Sequence, residues 1–108
     1  MHISNRFSEG QKKLLVDIDE TISFYPEERQ YDKAEPIIEN IAKINQLAEE
    51  GWYVTYWTAR GSKSGINHYD LTKKQLEEWS CKYHQLRVGD KPPYDLLICD
   101  KSRRIEEI

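Results

Sequence analysis

Apolar residues in this chain fall into short uninterrupted runs separated by longer stretches of mixed polarity, the pattern of buried strands alternating with amphipathic helices. Leu14-Leu15-Val16-Asp17-Ile18 reads as the first strand. Trp52 to Trp57 is aromatic and β-branched and has the length of a strand covered on both sides. Leu86 to Val88 is a short third candidate closed by Gly89, and Leu96-Leu97-Ile98-Cys99 is the last. Pro36 suits the first turn of a helix, and Ile37, Ile38, Ile41, Ile44, Leu47 and Ala48 keep helical spacing until Gly51 can end it. Thr72 and Gln75 match a capping box, with Leu71 and Leu76 as the accompanying staple. A second helix is therefore expected to start near Lys73, with Leu76, Trp79 and Tyr83 as its stripe. The remainder is polar: a frayed tail over 1–12, a mixed aromatic flap over 22–35, and a loop from Arg60 to Tyr69.

The alternation of strands and helices calls for an α/β fold with a mostly parallel sheet, a minimal three-layer Rossmann-like core. At 108 residues the chain suits one domain, with residues 22–35 too few for a separate cap. A composition 38% hydrophobic and 32% charged is polar for so small a core, so a homo-oligomer would help cover apolar surface. The formal charge of −3 gives no global attraction for nucleic acid or acidic membranes, so any anion must be held locally. Cys81 and Cys99 form neither a disulfide framework nor a zinc pattern. No signal peptide or membrane-spanning run stands out, which makes the cytoplasm the expected location.

In open parallel sheets, ligands sit beyond the carboxyl ends of the strands. That rule singles out Asp17 to Asp19, Thr58 to Arg60, and Asp100, with Lys91 in the loop before the last strand. Two carboxylates two residues apart, a hydroxyl, a third carboxylate and a lysine make a phosphate-handling set. Phosphoryl transfer needs a nucleophile in line with the leaving group, an acid for the departing oxygen, and positive charge around the equatorial oxygens.

Four motifs in order resemble those of the haloacid dehalogenase superfamily: Asp17-Ile18-Asp19-Glu20-Thr21 as DxDxT, Thr58 in WTARG, and Lys91 and Asp100 in KPPYDLLICDKS. Within it, the chain looks like the small capless phosphatases of capsular polysaccharide biosynthesis, with a weaker similarity to the phosphatase domain of polynucleotide kinases. The resemblance implies that Asp17 is the nucleophile and forms an aspartyl phosphate. Asp19 is then the general acid and base, with a raised pKa, and Thr58 and Lys91 hold phosphoryl oxygens. Asp17, the backbone carbonyl of Asp19, and Asp100 would bind Mg²⁺. Arg60 either contacts substrate phosphate or pairs with a surface carboxylate. Tyr25, Arg29 and Tyr31 either line a flap over the site or pack on the nearest helix.

The chain departs from the family pattern in two places within these motifs. Glu20 stands where Gly is common, and Cys99 stands where many relatives carry the first of two acids, leaving Asp100 alone with Asp95 as a substitute. A signalling receiver domain uses similar groups, but no mid-chain Asp here follows an apolar strand. The expected substrate is a small sugar phosphate of surface polysaccharide synthesis. A nucleic-acid end phosphatase and a non-catalytic subunit that binds metal or a phosphosugar remain as alternatives.

Overall fold

The computed structural model describes residues 11–27, 30–61, 65–89 and 96–98. Four parallel strands form its sheet: β1 (Lys13–Asp17), β4 (Tyr53–Thr58), β5 (Gln85–Val88) and β6 (Leu96–Ile98), in the order β5-β4-β1-β6. Leu14 lies opposite Val54 on one side and Leu96 on the other, and Thr58 lies opposite Val88. Helices α1 (Ile38–Glu49) and α2 (Tyr69–Glu78) make the crossovers from β1 to β4 and from β4 to β5. The α/β class and the parallel sheet are as the sequence pattern predicts.

Side chains alternate across a sheet, so the even-numbered strand residues share one face. Leu14, Val16, Val54, Tyr56, Leu86 and Ile98 meet Ile41 and Ile44 of α1 and Leu76 of α2 there, in one buried cluster with Cys81 and Tyr83. On the opposite face Leu15 is buried with Trp57 packed against it. Both described helices cover the even face, and the third layer expected from the sequence has no counterpart among the described residues. None of the helices searched is long and apolar enough to cross a membrane.

The first helix starts later than Pro36. That proline pairs with Ser23 in a two-residue ribbon, β2 (Ser23–Phe24) against β3 (Glu35–Pro36), and the ribbon holds it extended. Ile38 begins α1 and is 65% exposed, off the buried stripe. The end is as expected. Gly51 adopts φ +104°, its N–H bonds the Ala48 carbonyl and the Trp52 N–H bonds Leu47, the reciprocal pair that closes a helix through a left-handed glycine. Between β1 and α1 the described chain makes only this ribbon and a 3-10 turn (Tyr31–Lys33), and no cap domain is present among the described residues.

The second helix starts earlier than Lys73. It begins at Tyr69, whose N–H donates to Asn67 Oδ1 at 2.9 Å. Thr72 and Gln75 therefore lie inside α2, buried, instead of capping it. Their polar groups are turned to a different use, described below. Beyond β4, His84 extends the ladder before β5 begins: its N–H donates to the Val54 carbonyl at 2.8 Å and its Nδ1 accepts the Val54 N–H at 3.0 Å.

Candidate active site

Parallel strands bring their carboxyl ends to one edge, which collects Asp17 from β1, Thr58 from β4 and Val88 from β5. Asp17 ends its strand opposite Trp57, and the Ile18 N–H continues the ladder to the Trp57 carbonyl at 2.9 Å. Thr58 is thus the next residue along the neighbouring strand. Asp17 is half-buried.

Past Ile18 the chain turns sharply. The Glu20 N–H donates to the Ser23 carbonyl at 2.9 Å, Asp19 bridges to Ser23, and Glu20 adopts φ +67°. A glycine would take that conformation without strain, whereas a residue with a Cβ pays roughly 1 kcal/mol. With Glu20 in this conformation the turn aims the Asp19 side chain back toward β4.

The Asp19 carboxylate accepts four hydrogen bonds. Tyr25 Oη donates to Oδ1 at 2.5 Å and Arg60 Nη2 to the same oxygen at 2.8 Å, while Thr58 Oγ1 donates to Oδ2 at 2.8 Å and Arg60 Nε at 3.1 Å. Burial acts to raise the Asp19 pKa, but the paired, hydrogen-bonded Arg60 guanidinium, with Tyr25 and Thr58, outweighs it and holds the carboxyl below the usual carboxylate range. The raised pKa expected of an acid in waiting is therefore reversed. Tyr25 responds in the opposite sense: burial and the adjoining Asp19 charge push its phenol up.

Arg60 is 2% exposed and serves as the hub. Its Nη1 donates to Thr72 Oγ1 at 3.2 Å and to Gln75 Oε1 at 2.6 Å, and Nη2 also reaches Tyr25 Oη at 3.4 Å. A guanidinium carries five N–H donors. With Nε and Nη2 on Asp19, all five are committed within the protein. This corrects both expectations for Arg60, since it has no N–H left for a phosphoryl oxygen and its carboxylate partner is Asp19, not a surface acid. Thr58 is likewise turned inward, its hydroxyl donating to Asp19 and accepting the Arg60 N–H at 3.3 Å.

The sequence pattern carries no sign of the residues that hold this hub. Thr72 passes its proton to the His68 carbonyl at 2.7 Å, and Gln75 Nε2 donates to the Tyr31 carbonyl at 2.5 Å. The Tyr31 ring lies 5.0 Å from the guanidinium and makes an edge contact with His68 at 4.9 Å. Tyr25 and Tyr31 thus tie the segment after β2 to both Asp19 and α2. A pair of polar residues three apart beside Leu76 looks the same in sequence whether it caps a helix or receives a buried cation.

Lys91, Asp95 and Asp100 lie outside the described residues. Among the described residues no group of three His, Cys, Asp or Glu could hold a metal ion. The two donors expected there from Asp17 and Asp19 are nonetheless hard oxygens, a carboxylate and a backbone carbonyl, of the kind magnesium takes. Because Arg60, Tyr25 and Thr58 occupy the Asp19 side chain, its carbonyl is the donor that suits a metal. So far as the described donors go, they fit.

Comparison with protein-family models gives no match, and no curated protein matches the chain. The fold matches a crystal structure of a protein target from Vibrio cholerae with a TM-score of 0.66 and 21% sequence identity, over 76% of this chain and 72% of that one. At that identity the similarity shows the fold: a small α/β domain with a parallel sheet.

Proposed function

We propose that the chain is a magnesium-dependent phosphomonoester hydrolase of the haloacid dehalogenase type, with Asp17 as its nucleophile. The observation that carries this reading is the register that sets Asp17 beside Trp57 and Thr58 at the carboxyl edge, where parallel sheets bind ligands. The motif order and the α/β fold support it.

Asp17 attacks phosphorus as the bond to the leaving oxygen breaks, giving an aspartyl phosphate that water then hydrolyses. Magnesium held by Asp17, the Asp19 carbonyl and Asp100 would supply positive charge to the phosphoryl oxygens. Lys91 would add a cation beside them. Asp19 is arranged as an anion, which suits taking a proton from water in the second step. To protonate a leaving group in the first, it must part from Arg60, Tyr25 and Thr58.

That same closed arrangement favours a second reading, in which the chain binds metal or a phosphosugar without turning it over. Phosphate release separates the two. With magnesium, the chain is expected to release phosphate from small phosphomonoesters and to form a phosphoenzyme, and Asp17→Asn is expected to abolish both, because an amide is a poor nucleophile. Phosphate release by Asp17→Asn at the wild-type rate overturns the mechanism, and its absence from the wild type across a panel of phosphomonoesters favours the binding subunit.

A further inference from the structure

Beside the Asp19–Arg60 cluster, a pocket of about 390 Å³ opens between the turn after β4 and the turn after β5, lined by Arg60, Gly61, Ile66, Asn67, Tyr69, Val88 and Gly89. Its volume lies within the range of small-molecule sites. One wall is tightly set: a Cβ on Gly61 would come within 2.0 Å of the Ile66 carbonyl oxygen, and the Gly65 N–H bonds back to Gly61 at 2.9 Å. The other wall is fixed by the Gly89 N–H on the Thr58 carbonyl at 2.7 Å.

The chemistry of the lining narrows the occupant. Ile66, Tyr69 and Val88 offer apolar surface, and Ile66 and Tyr69 are 61% and 39% exposed although the chain as a whole is polar. The guanidinium of Arg60 is fully committed, so no cation among the described lining residues is open to a second anion. Among the described residues no carboxylate lines the pocket, and the amide nitrogen of Asn67, whose oxygen accepts the Tyr69 N–H, is the uncommitted polar side-chain group there. A sugar ring bears a hydroxyl on most carbons, and several of them would find no side-chain partner among the described lining residues. A flat heteroaromatic ring needs apolar faces and one or two polar contacts at its edge, which is what the lining provides.

Distance narrows it further. Neighbouring strands lie about 4.8 Å apart, so β5 lies about 10 Å from Asp17, with Thr58 of β4 between them. A ring attached directly to the phosphate falls short of that span, and a ring carried on a pentose reaches it. The net charge of −3 weighs against a polynucleotide.

We propose that this pocket receives a nucleobase, making the substrate a nucleoside monophosphate; the catalytic part of the proposal rests on the phosphatase reading above. Adenosine 5′-monophosphate and ribose 5-phosphate share the phosphorylated ribose and differ at C1, which bears the base in one and a hydroxyl in the other, so the pair reports the contribution of the base. The wild-type chain with magnesium is expected to show a kcat/KM roughly 10-fold or more higher for adenosine monophosphate, the scale of one base stacked on an aromatic side chain. Tyr69→Ser, at an exposed position at the start of α2, is expected to bring the ratio toward one. Adenosine alone, titrated into the wild type, is expected to shift the backbone amide resonances of Ile66, Asn67, Tyr69 and Val88, a readout that needs no catalysis. Equal kcat/KM for the two phosphates, or an undiminished ratio in Tyr69→Ser, overturns the proposal. If neither phosphate is hydrolysed, a nucleoside monophosphate is not the substrate, the phosphomonoester panel above decides the phosphatase reading separately, and the adenosine titration decides whether the pocket takes a base at all: unmoved resonances sink that too.

Discussion

Beneath the sheet and at its carboxyl edge, one helix, α2, is used in opposite ways. On the even face, Ile44 of α1 and Leu76 of α2 pack among Leu14, Val16, Val54 and the ring of Tyr56, each contributing through area and fit. One turn away, Thr72 and Gln75 of α2 hold Arg60 through directed bonds, and Arg60 in turn holds Asp19. The apolar region is a sum of small terms, any one of which can be weakened. The polar region is a closed set, in which removal of one member leaves buried partners unsatisfied.

Substitutions on the two sides put this contrast to the test. Arg60→Met keeps the volume of the stem but strands Asp19, and is expected to cost about 3–5 kcal/mol in urea unfolding. Adding Asp19→Asn to it is expected to recover part of that loss, because the stranded charge is gone. Leu76→Ala is expected to cost about 2–5 kcal/mol, and no second substitution of an uncharged neighbour should restore it. A loss under 1 kcal/mol for Arg60→Met, or no recovery in the double variant, breaks the comparison.

Acid sharpens it. Asp19 has a folded-state pKa below its unfolded value, so its contribution to stability is present above the ordinary carboxylate range and is lost as pH falls through the folded pKa. Asp19→Asn is expected to flatten the acid limb of the stability curve relative to wild type, while Leu76→Ala lowers the whole curve in parallel. Identical acid limbs in wild type and Asp19→Asn would show that the ion pair adds nothing. The smallest effect lies at the turn that joins the two regions: Glu20→Gly is expected to raise stability by up to about 1 kcal/mol through relief of the positive φ, offset in part by the greater freedom of glycine when unfolded. A loss in thermal or urea unfolding would show that the Glu20 side chain contributes more than its backbone costs.

The apolar region was legible in the sequence and the polar one was not, for the same physical reason. Strands such as Leu14 to Val16 and Tyr53 to Trp57 are bounded by their own composition, and Gly51 announces the end of α1 because few other residues enter the left-handed region cheaply. Asp17, Asp19, Thr58 and Arg60 were picked out because strand ends in a parallel sheet converge, and the structure does bring them to one edge. What Arg60 does there is set by partners far along the chain, Asp19 and Gln75, and no local pattern encodes such a pairing. The helix starts were misread for a related reason: Pro36 is claimed by Ser23, and Thr72 by Arg60.

The place of β1 in the sheet bears on how the molecule assembles. Its pairing with β4 follows through one helix, and β5 joins β4 through another, so this half of the sheet can grow in sequence order. Its other neighbour, β6, enters only after the whole of that unit, with Leu14 set against Leu96. Such non-local pairing closes a long loop and is a slow step in folding. The strand that carries Asp17 is therefore held on one side by a pairing through a single helix and on the other by the longest loop closure in the sheet, so the edge where the chemistry is proposed to occur depends on contacts between the two ends of the described chain.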